Sequence, residues 1–122
     1  MESPFKGKTG LRRLRNAVGY SIAGIKAAYR NEDAFRQEVI MAVVLIPLAF
    51  YLGESRIEMA LMIACVMLVI IVELINSSIE ATVDRISLEN HLLAKRAKDI
   101  GSAAVMLSLF NLVIVWGLIV LR

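Results

Sequence analysis

From Ile100 to Leu121 the chain runs without a single charged side chain. A helix needs about 20 predominantly apolar residues to cross the hydrocarbon of a bilayer, and this run suffices alone. It restricts the fold more than any other feature, because a lone segment in lipid must satisfy its own backbone hydrogen bonds and does so as a helix. Two further runs, Val39–Leu52 and Met59–Val72, are also free of charge. They reach spanning length only by taking in polar residues at one end. The first extends back through Glu38, Gln37 and Arg36 to Ala34, and the second forward through Glu73 to Ile79. Composition agrees: 58% of the 122 residues are hydrophobic and mean hydropathy is +0.68, above what a soluble domain of this length shows. The expectation is an all-α membrane protein forming one domain over residues 1–122, with spans at about 34–53, 57–84 and 98–121.

Charge asymmetry orients these spans. Eight of the 14 Lys and Arg, ending with Arg36, precede the charge-free part of the first span, and four more lie between the second and third. The connection "GESRIE" holds only Arg56 against Glu54 and Glu58. Basic residues stay on the cytoplasmic side, so the N-terminus and the second connection are expected there, with the first connection and Arg122 outside. The net charge of +3 is then accounted for by anionic lipid headgroups, and no nucleic-acid partner is expected. A secretory signal is not expected either, because the basic residues between Lys6 and Arg30 are not followed at once by an apolar core.

Within "LRRLRNAVGYSIAGIKAAYR" the larger apolar residues Leu11, Leu14, Val18, Ile22, Ile25 and Tyr29 recur every three or four positions, which places them on one helical stripe. Arg12, Arg13, Arg15, Asn16 and Lys26 lie mostly away from it. Such a helix lies in the membrane interface, and it is expected at about residues 11–30, broken near Asn31. The neighbouring "GKTG" is an accidental echo of a phosphate-binding loop. That loop requires a glycine where this chain has Glu2, and a strand before it.

The end of the second span, "VELINSSIEATVDR", is the unusual part. With about 100° per residue, Glu73, Asn76, Ser77, Glu80 and Asp84 share one helical face. A carboxylate within a span costs on the order of 2.5 to 3.5 kcal/mol at the helix centre, and such groups face a bundle interior or a wet cavity. Asp84 reads as solvated. Glu73 does not, since ending the span at Val72 leaves it too short. At the same cytoplasmic depth the topology brings Glu32, Asp33 and Glu38 from the first span and Lys98 and Asp99 from the third. Mg²⁺ is typically held by one or two carboxylates together with substrate phosphates, and a lysine suits phosphate neutralisation. A carboxylate shielded from water is also a stronger base. The set therefore describes metal-nucleotide phosphoryl transfer to an acceptor arriving from the lipid. His91 lacks the partners of a zinc site, and Cys65, in mid-span, reads as packing.

The segments "EDAFRQE", "VELINSSIEATVDR" and "RAKDIGSAAV" resemble the signatures of the prokaryotic integral-membrane diacylglycerol kinases, with matching lengths between them. The resemblance implies a homotrimer of the bacterial inner membrane whose active sites lie between subunits at the cytoplasmic interface. It implies transfer of the γ-phosphate of MgATP to diacylglycerol, giving phosphatidic acid. By resemblance, Glu73 is the general base and Asn76 helps to position it and the phosphate. Glu32 and Glu80 hold the divalent ions on the ATP phosphates, Lys98 contacts those phosphates, and Asp99 the nucleotide. Arg13, Tyr20 and Ser21 lie near nucleotide and lipid headgroup, Glu89, Asn90 and His91 pass the adenine side, and Ser102 faces the lipid. Glu38 stands where related undecaprenol kinases are expected to carry histidine, which favours diacylglycerol. Two alternatives stay open: an isoprenoid-alcohol kinase on the same scaffold, and a non-enzymatic oligomer or cation channel with a carboxylate ring.

Overall fold

The computed structural model describes residues 9–86 and 91–122. Those residues form four helices: α1 (Gly10–Asn31), α2 (Asp33–Leu52), α3 (Arg56–Ile86) and α4 (Leu92–Val120). The last three are long and apolar enough to cross a membrane. α3 packs on both α2 and α4, while α1 touches the bundle only lightly and buries a single residue, Ala28. Its apolar stripe from Leu11 to Tyr29 stays exposed. A helix that leaves this stripe unused by its own chain is suited to the membrane interface.

The corner between α1 and α2 is one residue long. Glu32 takes an extended conformation (φ −119°, ψ 112°) while its N–H still bonds to the Ala28 carbonyl. Helix ends leave carbonyls without intrahelical partners, and here Arg36 supplies them. Its Nη1 donates to Tyr29 O at 2.7 Å and to Arg30 O at 2.9 Å, while Nη2 pairs with Asp33. Asn31 Nδ2 caps Ala27 O at 2.9 Å. From sequence Arg36 reads as a polar entry to the span; in the fold it fastens the surface helix to it.

At the opposite end Gly53 closes α2. A Cβ there would come within 2.6 Å of the Met59 side chain, so the tight approach requires glycine. Ser55 Oγ accepts from Glu58 N at 3.1 Å, and Glu58 Oε1 accepts from Glu54 N at 2.8 Å. This is a variant of the reciprocal Ser-x-x-Glu cap at a helix start. Arg122 then binds both acids, 2.8 Å from Glu54 and 3.1 Å from Glu58, and ties the end of α4 to this connection.

The dry core occupies that half of the bundle: Ala49 of α2, Met62, Cys65, Val66 and Val69 of α3, and Leu112, Trp116 and Ile119 of α4. Cys65 is free and buried, as expected of a packing residue. Two side-chain bonds staple α3 to α4. Trp116 Nε1 donates to Met62 O at 3.1 Å, and Asn111 Nδ2 to Cys65 Sγ at 3.6 Å. Interhelical hydrogen bonds in membranes average only about 0.6 kcal/mol because alternatives exist in the unfolded state. Trp116→Phe should therefore destabilise by about that amount, read by unfolding in mixed micelles, with phosphotransfer unchanged. A loss above about 2 kcal/mol would exceed the largest such bond measured and would mean that indole packing dominates.

Candidate active site at the α1–α2 corner

The other half of the bundle is polar inside. Helical register alone carries α3 from one regime to the other: the face that presents Met62, Val66 and Val69 to the core presents Glu73, Asn76 and Ser77 a few turns later. Glu73 is 4% exposed, Asn76 7% and Ser77 9%, and Glu38 from α2 joins them at 9%. Asn76 Nδ2 donates to Glu80 Oε1 at 3.3 Å. Glu73 lies within electrostatic reach of Glu80, Glu32 and Glu38, and Lys98 within reach of Glu80. Carboxylates of α2, α3 and the α1–α2 corner thus come within reach of one another in a single chain, with Lys98 reaching only their outer member, Glu80.

Native proteins satisfy nearly all buried polar atoms. Here, among the described residues, three buried side-chain atoms lack a partner: Glu38 Oε2, Asn76 Oδ1 and Ser77 Oγ. All three belong to this cluster. Beside it a cavity of about 650 Å³ opens between α1 and α3, lined by Ser21, Ala28, Glu32, Ser77 and Ser78 among others. It shares Ile25 and Leu74 with a wholly apolar trough of about 430 Å³ that runs along Phe35, Val39, Val43 and Pro47. A cavity edged by Glu32 and three serines therefore adjoins a wholly apolar one.

Other residues singled out from sequence lie farther from this cluster. Lys98 Nζ is 2.6 Å from Asp84 Oδ1, linking α4 to α3, and Asp84 is largely exposed as expected of a solvated acid. Asp99 pairs with Lys95 at 2.7 Å in a shallow cleft on α4 with Leu92 and Arg96. Arg13 and Tyr20 on α1, and Ser102 on α4, are exposed. Ser21 Oγ donates to Ala17 O at 2.8 Å within its own helix. His91 is the N-cap of α4, its Nδ1 accepting from Leu93 N at 3.1 Å. Glu89 and Asn90 lie outside the described residues.

One residue of this region was not legible as a site residue. Gly101, buried on α4, faces Asn76 so closely that a Cβ would overlap the amide oxygen. Its signal in the sequence was a glycine inside a long helical run, just after Lys98 and Asp99.

The chemistry of the donor set fits a divalent cation carried in by its nucleotide. Mutually repelling carboxylates share this end of the bundle, and their nearest lysine is already engaged by Asp84. Among the described residues no three acids, cysteines or histidines stand close enough to cage a metal by themselves. Phosphate oxygens completing the shell of one or two carboxylates is how Mg²⁺ is commonly held.

The model of the prokaryotic diacylglycerol kinase family matches residues 19–120. The chain belongs to that family. It is 60% identical over 119 residues to a diacylglycerol kinase of Pseudomonas aeruginosa, covering 98% of this chain and 97% of the relative. It is 49% identical over 108 residues to that of Escherichia coli, 88% of each chain. To a Helicobacter pylori diacylglycerol kinase it is 47% identical over 116 residues, 95% of this chain and 90% of the relative. The family's name thus meets a membrane bundle with a buried polar cluster at one end.

Proposed function

We propose that this member of the family transfers the γ-phosphate of MgATP to the hydroxyl of diacylglycerol, yielding phosphatidic acid and ADP. The observation that carries the reading is the Glu73–Asn76–Glu80 ladder, buried at Glu73 and Asn76, beside a cavity that Glu32 and Ser77 help to line and that adjoins an apolar trough. A lipid alcohol needs both surroundings at once, a dry channel for its chains and a charged chamber for its reacting end. Glu73 takes the hydroxyl proton while the freed oxygen attacks the γ-phosphorus in line with the departing ADP oxygen. Asn76 orients the reacting groups through its amide. Glu32 and Glu80 would hold Mg²⁺, which when bound neutralises the phosphate charge.

Lys98 contributes a point charge toward the phosphates, with Asp84 fixing its position, and Asp99 and the α4 start face the nucleotide. Arg13, Tyr20 and Ser21 line the approach along α1, where Arg13 and Ser21 also meet the lipid headgroup, with Glu38 and Ser102 on the lipid side. Such catalysis relies on positioning and electrostatics, so no nucleophilic serine or cysteine is called for.

Three spans enclose neither substrate unaided, and many large apolar side chains of α2, α3 and α4 stay exposed in the single chain. A homotrimer with shared sites completes the chamber and covers part of those faces. The basic N-terminal segment and the α3–α4 connection support a reading in which this end of the bundle lies on the cytoplasmic side of a bacterial inner membrane.

The deciding experiment is phosphate transfer from labelled MgATP in mixed micelles, with diacylglycerol and undecaprenol offered in parallel. Label in phosphatidic acid is the expected result. Label only in the isoprenoid keeps the mechanism and replaces the acceptor, and label in neither returns the chain to a non-enzymatic role.

A further inference from the structure

Of the described glycines inside helices, Gly19, Gly24 and Gly117 have open space where a Cβ would stand; Gly101 does not. A Cβ at 101 would overlap Asn76 Oδ1 and lie 3.2 Å from its Cγ. That oxygen is buried and has no hydrogen-bond partner. Glycine in a helix interior costs about 1 kcal/mol relative to alanine, so local propensity argues against the residue found here. Its benefit has to lie in the contact with Asn76.

We infer that Gly101 is a positioning residue: its bare Cα seats the Asn76 carbonyl and thereby aims the Asn76 NH₂ at Glu80. An asparagine amide has one donor end and one acceptor end. The carboxylate of Glu80 accepts only, so the NH₂ must face it, as the 3.3 Å bond requires. The oxygen then has to go to the other side, against α4. A Cα–H is a weak but fitting neighbour for it, and a methyl is not. With glycine at 101 the amide has one orientation. Glu80 is then tethered by one oxygen. With alanine the Asn76 side chain must rotate away, releasing Glu80.

This inference rests on the proposed role of Glu80 toward the metal, and its test separates the two. Gly101→Ala in the full chain, in mixed micelles with diacylglycerol, should lose on the order of 10²-fold in turnover, the scale of a misplacement of about 1 Å. Its Mg²⁺ activation midpoint should rise several-fold. Mn²⁺ binding in the presence of a non-hydrolysable ATP analogue, read by electron paramagnetic resonance, should weaken in parallel. Reduced turnover with unchanged Mg²⁺ midpoint and Mn²⁺ affinity would make Gly101 a packing residue and overturn the inference, as would unchanged turnover. If Gly101→Ala does not fold, Asn76→Ala is compared with Asn76→Ala/Gly101→Ala. With the amide gone the extra methyl has room, so the pair should match in unfolding midpoint and in Mn²⁺ affinity. A double variant clearly worse than Asn76→Ala refutes the contact with the amide. A wild-type enzyme needing no divalent ion would instead overturn the role of Glu80 in the proposed function.

Discussion

Glu73→Gln should lower phosphotransfer by about 10²- to 10⁴-fold, the usual contribution of general acid–base catalysis, without lowering stability. The two side chains are nearly isosteric, so the 4% exposed site keeps its packing. The charge that disappears stood within reach of Glu32, Glu38 and Glu80. Removing one of several like charges relieves repulsion and leaves no cation unpaired, so the unfolding midpoint should stay level or rise. A falling midpoint would mean that Glu73 has a stabilising partner. A rate within about tenfold of wild type, below the range for a general base, would remove Glu73 from that role. The measurement is labelled-phosphate transfer alongside thermal unfolding of the same preparation.

Glu80→Gln should act on the metal instead. The glutamine side chain keeps an oxygen able to accept from Asn76 Nδ2, so the 3.3 Å bond survives while the negative charge is lost. The Mg²⁺ concentration for half-maximal activity should rise about tenfold or more, since even outer-shell changes cost 10- to 100-fold in metal affinity. At saturating Mg²⁺ most of the rate should return. A loss that excess Mg²⁺ does not restore, or an unchanged midpoint, would argue that Glu80 is not a ligand. Because Glu73→Gln should leave the Mg²⁺ midpoint where it is, the two variants separate proton transfer from metal binding.

The two residues differ in how the chain supports them. Glu73 is buried on α3, and the proposed general base would gain from that shielding. Glu80 sits about two turns farther along α3 and is only partly buried, where a proposed ligand could exchange its hydration for a cation and phosphates. In the proposed function one helix face would serve two tasks by depth, with Asn76 between them.

Much of this was legible beforehand because the bilayer leaves so few options. Charge-free runs specify spans, basic connections specify sides, and the 100° advance of a helix puts Glu73, Asn76, Ser77 and Glu80 on one face whatever they touch. The sharing of a depth by Glu32, Glu38, Lys98 and the α3 face follows from span lengths alone. What periodicity does not carry is the partner of each side chain. Arg36 looks like any polar residue at a membrane boundary, and only the one-residue bend at Glu32 brings the last carbonyls of α1 to its guanidinium. His91 becomes a helix cap, and Lys98 and Asp99 take separate ion-pair partners, because the α3–α4 pairing and the register of α4 decide who meets whom. Gly101 acquires a reason only when α4 lies close enough to Asn76 for a methyl to be excluded. Helix periodicity and hydropathy are properties of one segment and its solvent, so sequence determined the spans and the polar face. Contacts between segments depend on relative rotation and close approach, which packing alone decided.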